Sequence, residues 1–313
     1  MKTADAYAGT VYDKYSERIS GCSGWLQFAL VPNDDGEVIH KLQAARLCHC
    51  RHCPTCAWRT ALMWRARTFR GLRRIIADYP GKRFIFLTLT VRTCEVDQLG
   101  ATLTWMSQAW QRLSQTKDFP ALGWLRRTEV ERSHDGKAHP HFHVLMMVNP
   151  SYFTHGYVNQ KEWRQLWARS LRVGYDPQVD IKVVKPTKQK SAEISSSDDD
   201  TQQNHVKPFD NGLMIAVRYT LKYSTKPDKL LFPTHGTAED MEEDQKWLLG
   251  ITQQLHKRRS VSLGGIFKKY MSEDDPTNLI VDEGNVDETE TEDEDPRVTY
   301  YWEDEVTHYL IKA

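Results

Sequence analysis

Two histidines two residues apart, His141 and His143, stand in the run His139-Pro-His-Phe-His-Val-Leu-Met-Met-Val148. In a strand such residues project from one face, so both imidazoles can offer a nitrogen to one divalent ion. The apolar run Val144 to Val148 predicts a buried strand, which places the histidines at the edge of a core rather than on a flexible tag. Pro140 cannot donate a ladder hydrogen bond and is expected to mark where the strand begins. A metal needs further ligands, and the preceding strand offers Glu129 and Glu131, again two apart. A His/His/carboxylate set with open positions suits Mg²⁺, Mn²⁺ or a similar ion that must also take a substrate oxygen. A lone histidine would more often cap its strand through hydrogen bonds; a pair beside a carboxylate favours the metal.

A second constellation lies in Gly212-Leu-Met-Ile-Ala-Val-Arg-Tyr-Thr-Leu-Lys-Tyr-Ser-Thr-Lys226, where Tyr219 and Tyr223 are four apart and share a helix face. Lys222 and Lys226 flank that face, while Leu213, Met214, Val217 and Leu221 lie largely elsewhere. A phenol titrates near about 10, so attack on phosphorus needs positive charge or a base nearby. The lysines and a metal supply the charge. Taken alone, the helix also fits two amphipathic tyrosines packed on a neighbour. Taken together, the two constellations describe a metal polarising a scissile phosphate while a tyrosine displaces the 3′ oxygen. The products are a 5′-phosphotyrosine and a free 3′ hydroxyl, with the bond's energy conserved for rejoining.

Five of the six cysteines fall within the first 56 residues: Cys22, Cys48, Cys50, Cys53 and Cys56. The last two form the knuckle-like Cys53-Pro-Thr-Cys56. No window approaches the roughly 18 to 20 apolar residues of a membrane span, and Met1 to Thr10 lacks a signal-peptide pattern, so the chain reads as cytoplasmic. In that compartment such clustering favours a structural Zn²⁺ over disulfides, with a redox pair at Cys53 and Cys56 as the alternative.

These groups need a frame. Gly24 to Ala45 reads as a hairpin, Ala57 to Tyr79 as a helix with an arginine-rich surface and an inner stripe of Leu62, Phe69, Leu72 and Ile76, and Arg83 to Val91 as a central strand. Leu99, Leu103, Met106, Trp110 and Leu113 form the stripe of an amphipathic helix. Strands are predicted at Trp124 to Glu131, His141 to Val148 and Val179 to Val184, and helices at Lys161 to Leu171, Gly212 to Lys226 and Thr237 to Arg259. The class is α+β, with helices around what should be one sheet. Residues 188–211 read as a polar, mobile insertion, and 272–295 as an acidic, disordered segment from which Tyr300-Tyr-Trp302 returns as a short strand.

The net charge of zero hides a polarity: residues 271–313 carry fifteen acidic and two basic side chains, and residues 1–270 carry 40 basic and 27 acidic. A basic body is suited to a phosphate backbone, and the arginine helix is a candidate for gripping it.

The chain resembles the rolling-circle replication initiators (Rep proteins) of small Gram-positive and cyanobacterial plasmids, a branch of the HUH endonucleases. Phe86-Leu-Thr-Leu-Thr90, His139-Pro-His-Phe-His-Val-Leu145 and Tyr219-Thr-Leu-Lys-Tyr223 match the three motifs in order. Supporting matches include Thr128-Glu-Val130 and Ser262-Leu-Gly-Gly265.

The resemblance implies an HUH-type central antiparallel sheet flanked by helices, with a zinc-stapled segment and basic helix over 1–80, the endonuclease domain over 81–270 and an acidic tail over 271–313. It assigns Mg²⁺ or Mn²⁺ to His141 and His143, favours Glu129 over Glu131 as third ligand, and makes Tyr223 the nucleophile that nicks origin DNA. It points to Cys22, Cys48, Cys53 and Cys56 for zinc, with Cys50 and His52 as substitutes. Close relatives carry a glutamate four residues before the nucleophile, where this chain has Tyr219. That departure suggests a second transesterification in place of hydrolysis.

The implied partners are single-stranded and origin DNA, a host helicase and a DNA polymerase; no membrane is implied and a homodimer is left open. No Walker-type phosphate loop is present, so helicase work falls to a partner. The alternatives are an HUH transposase, a conjugative relaxase (which would usually place its tyrosine before the histidine motif), a water-using metal hydrolase, and a zinc-stapled DNA-binding regulator without nuclease activity.

Overall fold

Runs rich in Val, Ile, Phe and Thr form the strands, and each is placed by what covers its faces. The computed structural model describes residues 3–32, 36–184, 211–221, 237–271, 296–303 and 308–311. It divides into two compact units: residues 1–60, 227–252 and 274–313 in the first, and 61–226 with 253–273 in the second. The division between residues 60 and 61 falls inside a single long helix.

The first unit contains α1 (Asp13–Ser20), the strands β1 (Trp25–Pro32) and β2 (Val38–Ala45), and the opening turns of α2 (Pro54–Asp78). The expected hairpin is present, with a register shift between Gln27 and Phe28. Two strands near the end of the chain, β8 (Arg297–Glu303) and β9 (His308–Ile311), complete an antiparallel sheet in the order β2-β1-β8-β9. The single sheet expected from the sequence is therefore two. Alternating Val298, Tyr300 and Trp302 give the acidic tail a strand where its charge density drops, and the return expected at Tyr300 is longer than three residues. The acidic segment 272–295 and the polar insertion lie outside the described residues, apart from Asn211, where the insertion ends.

The second unit is built on a five-stranded antiparallel sheet of order β6-β3-β5-β4-β7, comprising β3 (Arg83–Thr90), β4 (Ala121–Arg132), β5 (Ala138–Val148), β6 (Val179–Val183) and β7 (Val261–Gly265). The class is α+β, with antiparallel sheets and flanking helices. β5 is central and buried on both faces. It begins at Ala138, so Pro140 lies inside it rather than at its start. The β3 side of the ladder ends at Thr90 opposite His141. Pro140 lies one residue beyond the last ladder pair with β3, where its missing N–H costs no ladder hydrogen bond to that strand.

One sheet face packs α3 (Leu99–Ser114) and α4 (Gln160–Leu171). The expected stripe of α3, from Leu99 to Leu113, is buried, as are Trp163, Leu166 and Trp167 of α4. Asn159 and Glu162 form a capping box that starts α4. Trp167 then donates its indole N–H to the Thr90 carbonyl at 2.8 Å, which pins the end of β3.

The opposite face is covered by the later part of α2, by α5 (Asn211–Thr220) and by the short α7 (Ile266–Met271). Leu72, Ile75, Leu145, Leu213, Val217 and Phe267 share one core there. The inner stripe of α2 runs through Ala61, Thr68, Leu72 and Ile75, whereas Leu62 and Ile76 are exposed. That is a rotation of the stripe expected from the sequence, set by the sheet and α7. Arg67 and Arg74 of this helix donate to the carbonyls of Met271 and Tyr270. Part of the arginine-rich surface thus closes the C-terminus of α7. The remaining helix, α6 (Ala238–Gln254), ends five residues short of the expected Arg259.

Gly264 and Gly265 let β7 approach β4. A side chain at Gly264 would meet the Trp124 ring at 2.1 Å, and one at Gly265, whose φ is +54°, would meet the Leu122 carbonyl oxygen at 2.2 Å. Backbone cannot step aside as a flexible side chain can. Gly265→Ala is therefore expected to destabilise the protein by about 2 kcal/mol or more, through left-handed strain plus the clash, read as a lower urea midpoint. An unchanged midpoint would contradict this account of the β4–β7 contact.

Candidate active site

Strand alternation brings the site together. In the β4–β5 register Glu129 faces His141 and Arg127 faces His143, while across β3 Thr88 faces His143. All these side chains rise on the sheet face that carries α5. Glu129 Oε2 lies 2.8 Å from His143 Nε2 and 3.3 Å from His141 Nε2, with all three residues buried. Thr88 Oγ1 is 3.2 Å from His143 Nδ1, which orients the ring from behind. Phe86 stacks on the same imidazole at 5.6 Å between centroids.

The donor set fits a divalent cation. One ligand atom from each of Glu129, His141 and His143 lies within 4.8 Å of the others. Burial pulls the Glu129 carboxyl upward, but the hydrogen bonds and charge of the two histidines outweigh it and hold the group well below the usual carboxylate range. Burial lowers His143, with the neighbouring His141 and Arg127 adding to the shift against the pull of Glu129. An ionised carboxylate and a neutral imidazole are the forms that bind metal. Glu131 joins a different group, with His139 and His141, one step further out along the same face.

Of the two tyrosines, Tyr219 is described. Its ring lies 5.4 Å from that of His143 and 5.2 Å from that of Phe86, and the residue is 44 % exposed. Leu213, Val217 and Leu221 turn into the core, as the helical spacing predicts. Tyr223, Lys222 and Lys226 lie outside the described residues. A cation that the sequence reading missed stands nearby: Lys182 of β6, paired with Asp180 at 3.0 Å, is close enough to Tyr219 for their charges to interact. Thr88, Phe86 and Arg127 were also missed. Their signal was available, since each sits an even number of residues from a strand position facing the histidines, but only the register reveals it.

In the first unit, Cys22, Cys48, Cys53 and Cys56 bring their sulfurs within 4.8 Å of one another. Cys56 Sγ lies 3.7 Å from Cys22 and 3.6 Å from Cys48. Hydrogen bonds from Cys48, Cys53 and Cys56 push the Cys22 thiol well below its ordinary range. Four convergent sulfurs fit a tetrahedral Zn²⁺. Cys50 stands outside the group and turns its sulfur to the Cys48 carbonyl at 3.5 Å. His52 is buried without a hydrogen-bond partner among the described residues, and burial followed by the Arg51 charge lowers it to about 3. Tyr309 donates to the Ser23 carbonyl at 2.6 Å and so braces the Cys22 loop.

Residues 39–310 match a family described as Replication protein. A protein named Protein rep from Streptococcus pneumoniae serotype 2 is 30% identical over 324 residues, covering all of this chain and 89% of its own length. One of the same name from Bacillus amyloliquefaciens is 32% identical, covering 96% of this chain and 86% of its own length. A Staphylococcus aureus protein named Replication protein is 32% identical over 76% of this chain and 94% of its own length. No solved structure matches.

Two outcomes test the metal chemistry. Glu129→Gln removes the one anionic ligand and is expected to weaken Mn²⁺ binding by about tenfold to a hundredfold in titration calorimetry, with Glu131→Gln far milder; the reverse ranking would reassign the ligand. Stripping zinc with a chelator is expected to unfold the first unit, because structural zinc is worth on the order of 10 kcal/mol. Retained near-UV dichroism together with undetectable zinc would contradict that role.

Proposed function

The chain belongs to the Rep family of replication proteins, and from that premise we propose that it starts rolling-circle plasmid replication by nicking one strand at the origin and later rejoins the strand. The observation that carries this reading is the meeting of Glu129, His141 and His143 at one point, with the Tyr219 ring against His143. Such a sheet face, with paired histidines beneath a tyrosine-bearing helix, fits an HUH-type endonuclease.

A Mg²⁺ or Mn²⁺ ion held by these three residues would draw charge from a phosphate oxygen. The chain's own residues do the remainder. Tyr223 is the proposed nucleophile: its phenolic oxygen bonds to phosphorus, the bond to the 3′ oxygen breaks, and the electron pair leaves with that oxygen. The proton lost by the phenol is matched by the one the 3′ hydroxyl gains. Thr88 and Phe86 hold the His143 ring in place, and Lys182 supplies positive charge on the Tyr219 side. Tyr219 occupies the position where a water-activating carboxylate is expected in relatives. A second tyrosine there attacks the junction on termination, so that joining proceeds by transfer instead of hydrolysis. A host polymerase extends the 3′ end while a host helicase unwinds the duplex.

The test is a denaturation-resistant adduct between the protein and labelled single-stranded origin DNA in Mn²⁺. Tyr223→Phe is expected to lower its formation by about a thousandfold or more, while Tyr219→Phe still forms the first adduct and loses strand closure. Intact closure in Tyr219→Phe would remove the second-tyrosine role. Absence of any adduct in the wild-type protein, with DNA cut, would instead indicate a hydrolase using water.

A further inference from the structure

Arg126 and Arg127 are adjacent, and the sheet treats them oppositely. Arg126 points to the α3–α4 face, where its guanidinium lies 4.2 Å from the Phe142 ring centroid and 5.7 Å from that of Trp110, with Nη2 3.4 Å from Ser262 Oγ. Two ring faces and one hydroxyl contact it, although its Nε, like that of Arg127, has no hydrogen-bond partner among the described residues. Arg127 rises on the other face, opposite His143 and two residues before Glu129. It is 5% exposed, its buried Nε has no hydrogen-bond partner, and among the described residues none forms a hydrogen bond or ion pair with it. Its charged neighbours include Glu129, which favours its charge, and Arg65 of α2, which opposes it.

A buried guanidinium needs a counter-charge. Glu129 does not suffice, because its carboxylate is already committed to two imidazoles at 2.8 and 3.3 Å. When a divalent ion occupies that site the deficit grows, since the ion takes up the carboxylate charge and adds its own. The missing partner is then an anion that arrives together with the metal, on the face where the tyrosine helix lies. A planar guanidinium is matched to the two non-bridging oxygens of a phosphodiester.

We propose that Arg127 binds the scissile phosphate of single-stranded DNA, with Arg65 adding to the local positive field. This assignment rests on the nicking function proposed above. It gives the phosphate two fixed points, the metal site and a guanidinium two residues along β4, on the sheet face that carries α5.

The experiment uses the full-length, Mn²⁺-loaded protein and the fluorescently labelled single-stranded origin oligonucleotide, with binding followed by anisotropy across a salt series. Arg127→Gln is expected to reduce the slope of log affinity against log salt by about 0.7, the value for one phosphate contact on a single strand. It should also slow adduct formation by about a hundredfold. Arg127→Lys keeps the slope but recovers only part of the rate, because a lysine supplies charge without the paired donors. Wild-type protein with a neutral methylphosphonate at the nicked position repeats the measurement without altering the fold, and the slope should fall by the same amount.

An unchanged slope in both Arg127→Gln and the methylphosphonate complex overturns the proposal. So does a loss of Mn²⁺ affinity of about tenfold or more in Arg127→Gln, read by electron paramagnetic resonance, which would make Arg127 a support for its neighbour Glu129. Should the wild-type protein form no adduct, the nicking reading fails. The salt slope of Arg127→Gln would still report whether the guanidinium holds a phosphate.

Discussion

The register of β5 between β3 and β4 is the constraint on which the candidate site depends. Side chains on a strand alternate with a period of two, so the pairing that sets Glu129 against His141 and Thr88 against His143 puts ligands, orienting hydroxyl and cation on one face. A slip of one residue would present Phe142 and Val144 instead. The slip is opposed on both faces. Phe142, Val144 and Met146 are buried on the α3–α4 side, and Leu145 and Met147 belong to the core beneath α5 and α7. Trp167 fixes the end of β3 at Thr90, where the pairing with His141 begins. Packing of apolar groups thus fixes which polar atoms share the face of the site.

That geometry confronts the fold with a charge problem. Glu129 is ionised in a buried setting, two imidazoles share it, and a guanidinium follows along the same strand face. Apolar packing alone does not explain such a cluster, because desolvated charge is costly and a well-packed hydrophobic set would be at least as stable. Its retention is understandable if the site's counter-ions are a metal and a phosphate. Arg126 on the other face differs in having aromatic rings and the Ser262 hydroxyl against its guanidinium.

Much of the second unit was legible in the sequence because its elements carry clean periodicities. The stripe from Leu99 to Leu113 and the pair Trp163 and Trp167 allow one helical reading, and His141 with His143 allows one shared face. The capping pair Asn159 and Glu162 marks a helix start. What was not legible depended on partners distant in sequence. The inner stripe of α2 could not be phased from its own residues, since Leu62 and Ile76 are as apolar as the Leu72 and Ile75 that are buried. Arg127 looked like one more member of a basic population until the ladder set it opposite His143. Thr88 was seen as part of a strand motif without its role toward an imidazole. The full length of β8 and all of β9 were obscured by the acidic residues around them, and the pairing of β8 with β1 is a long-range event that no local pattern encodes.

That pairing also sets an order of events during synthesis. Gln27 and Thr299 are neighbours in the first unit although 272 residues separate them. At elongation rates of about 5 to 20 residues per second, β1 emerges from the ribosome roughly 15 to 50 seconds before the strand that covers its open edge. The four cysteines are all present by residue 56 and can gather early, but Ser23 waits for Tyr309. An open edge is a template for pairing with other chains. The register shift at Gln27/Phe28 lies in the strand that carries this edge, and such an irregularity makes a poorer template than a regular strand.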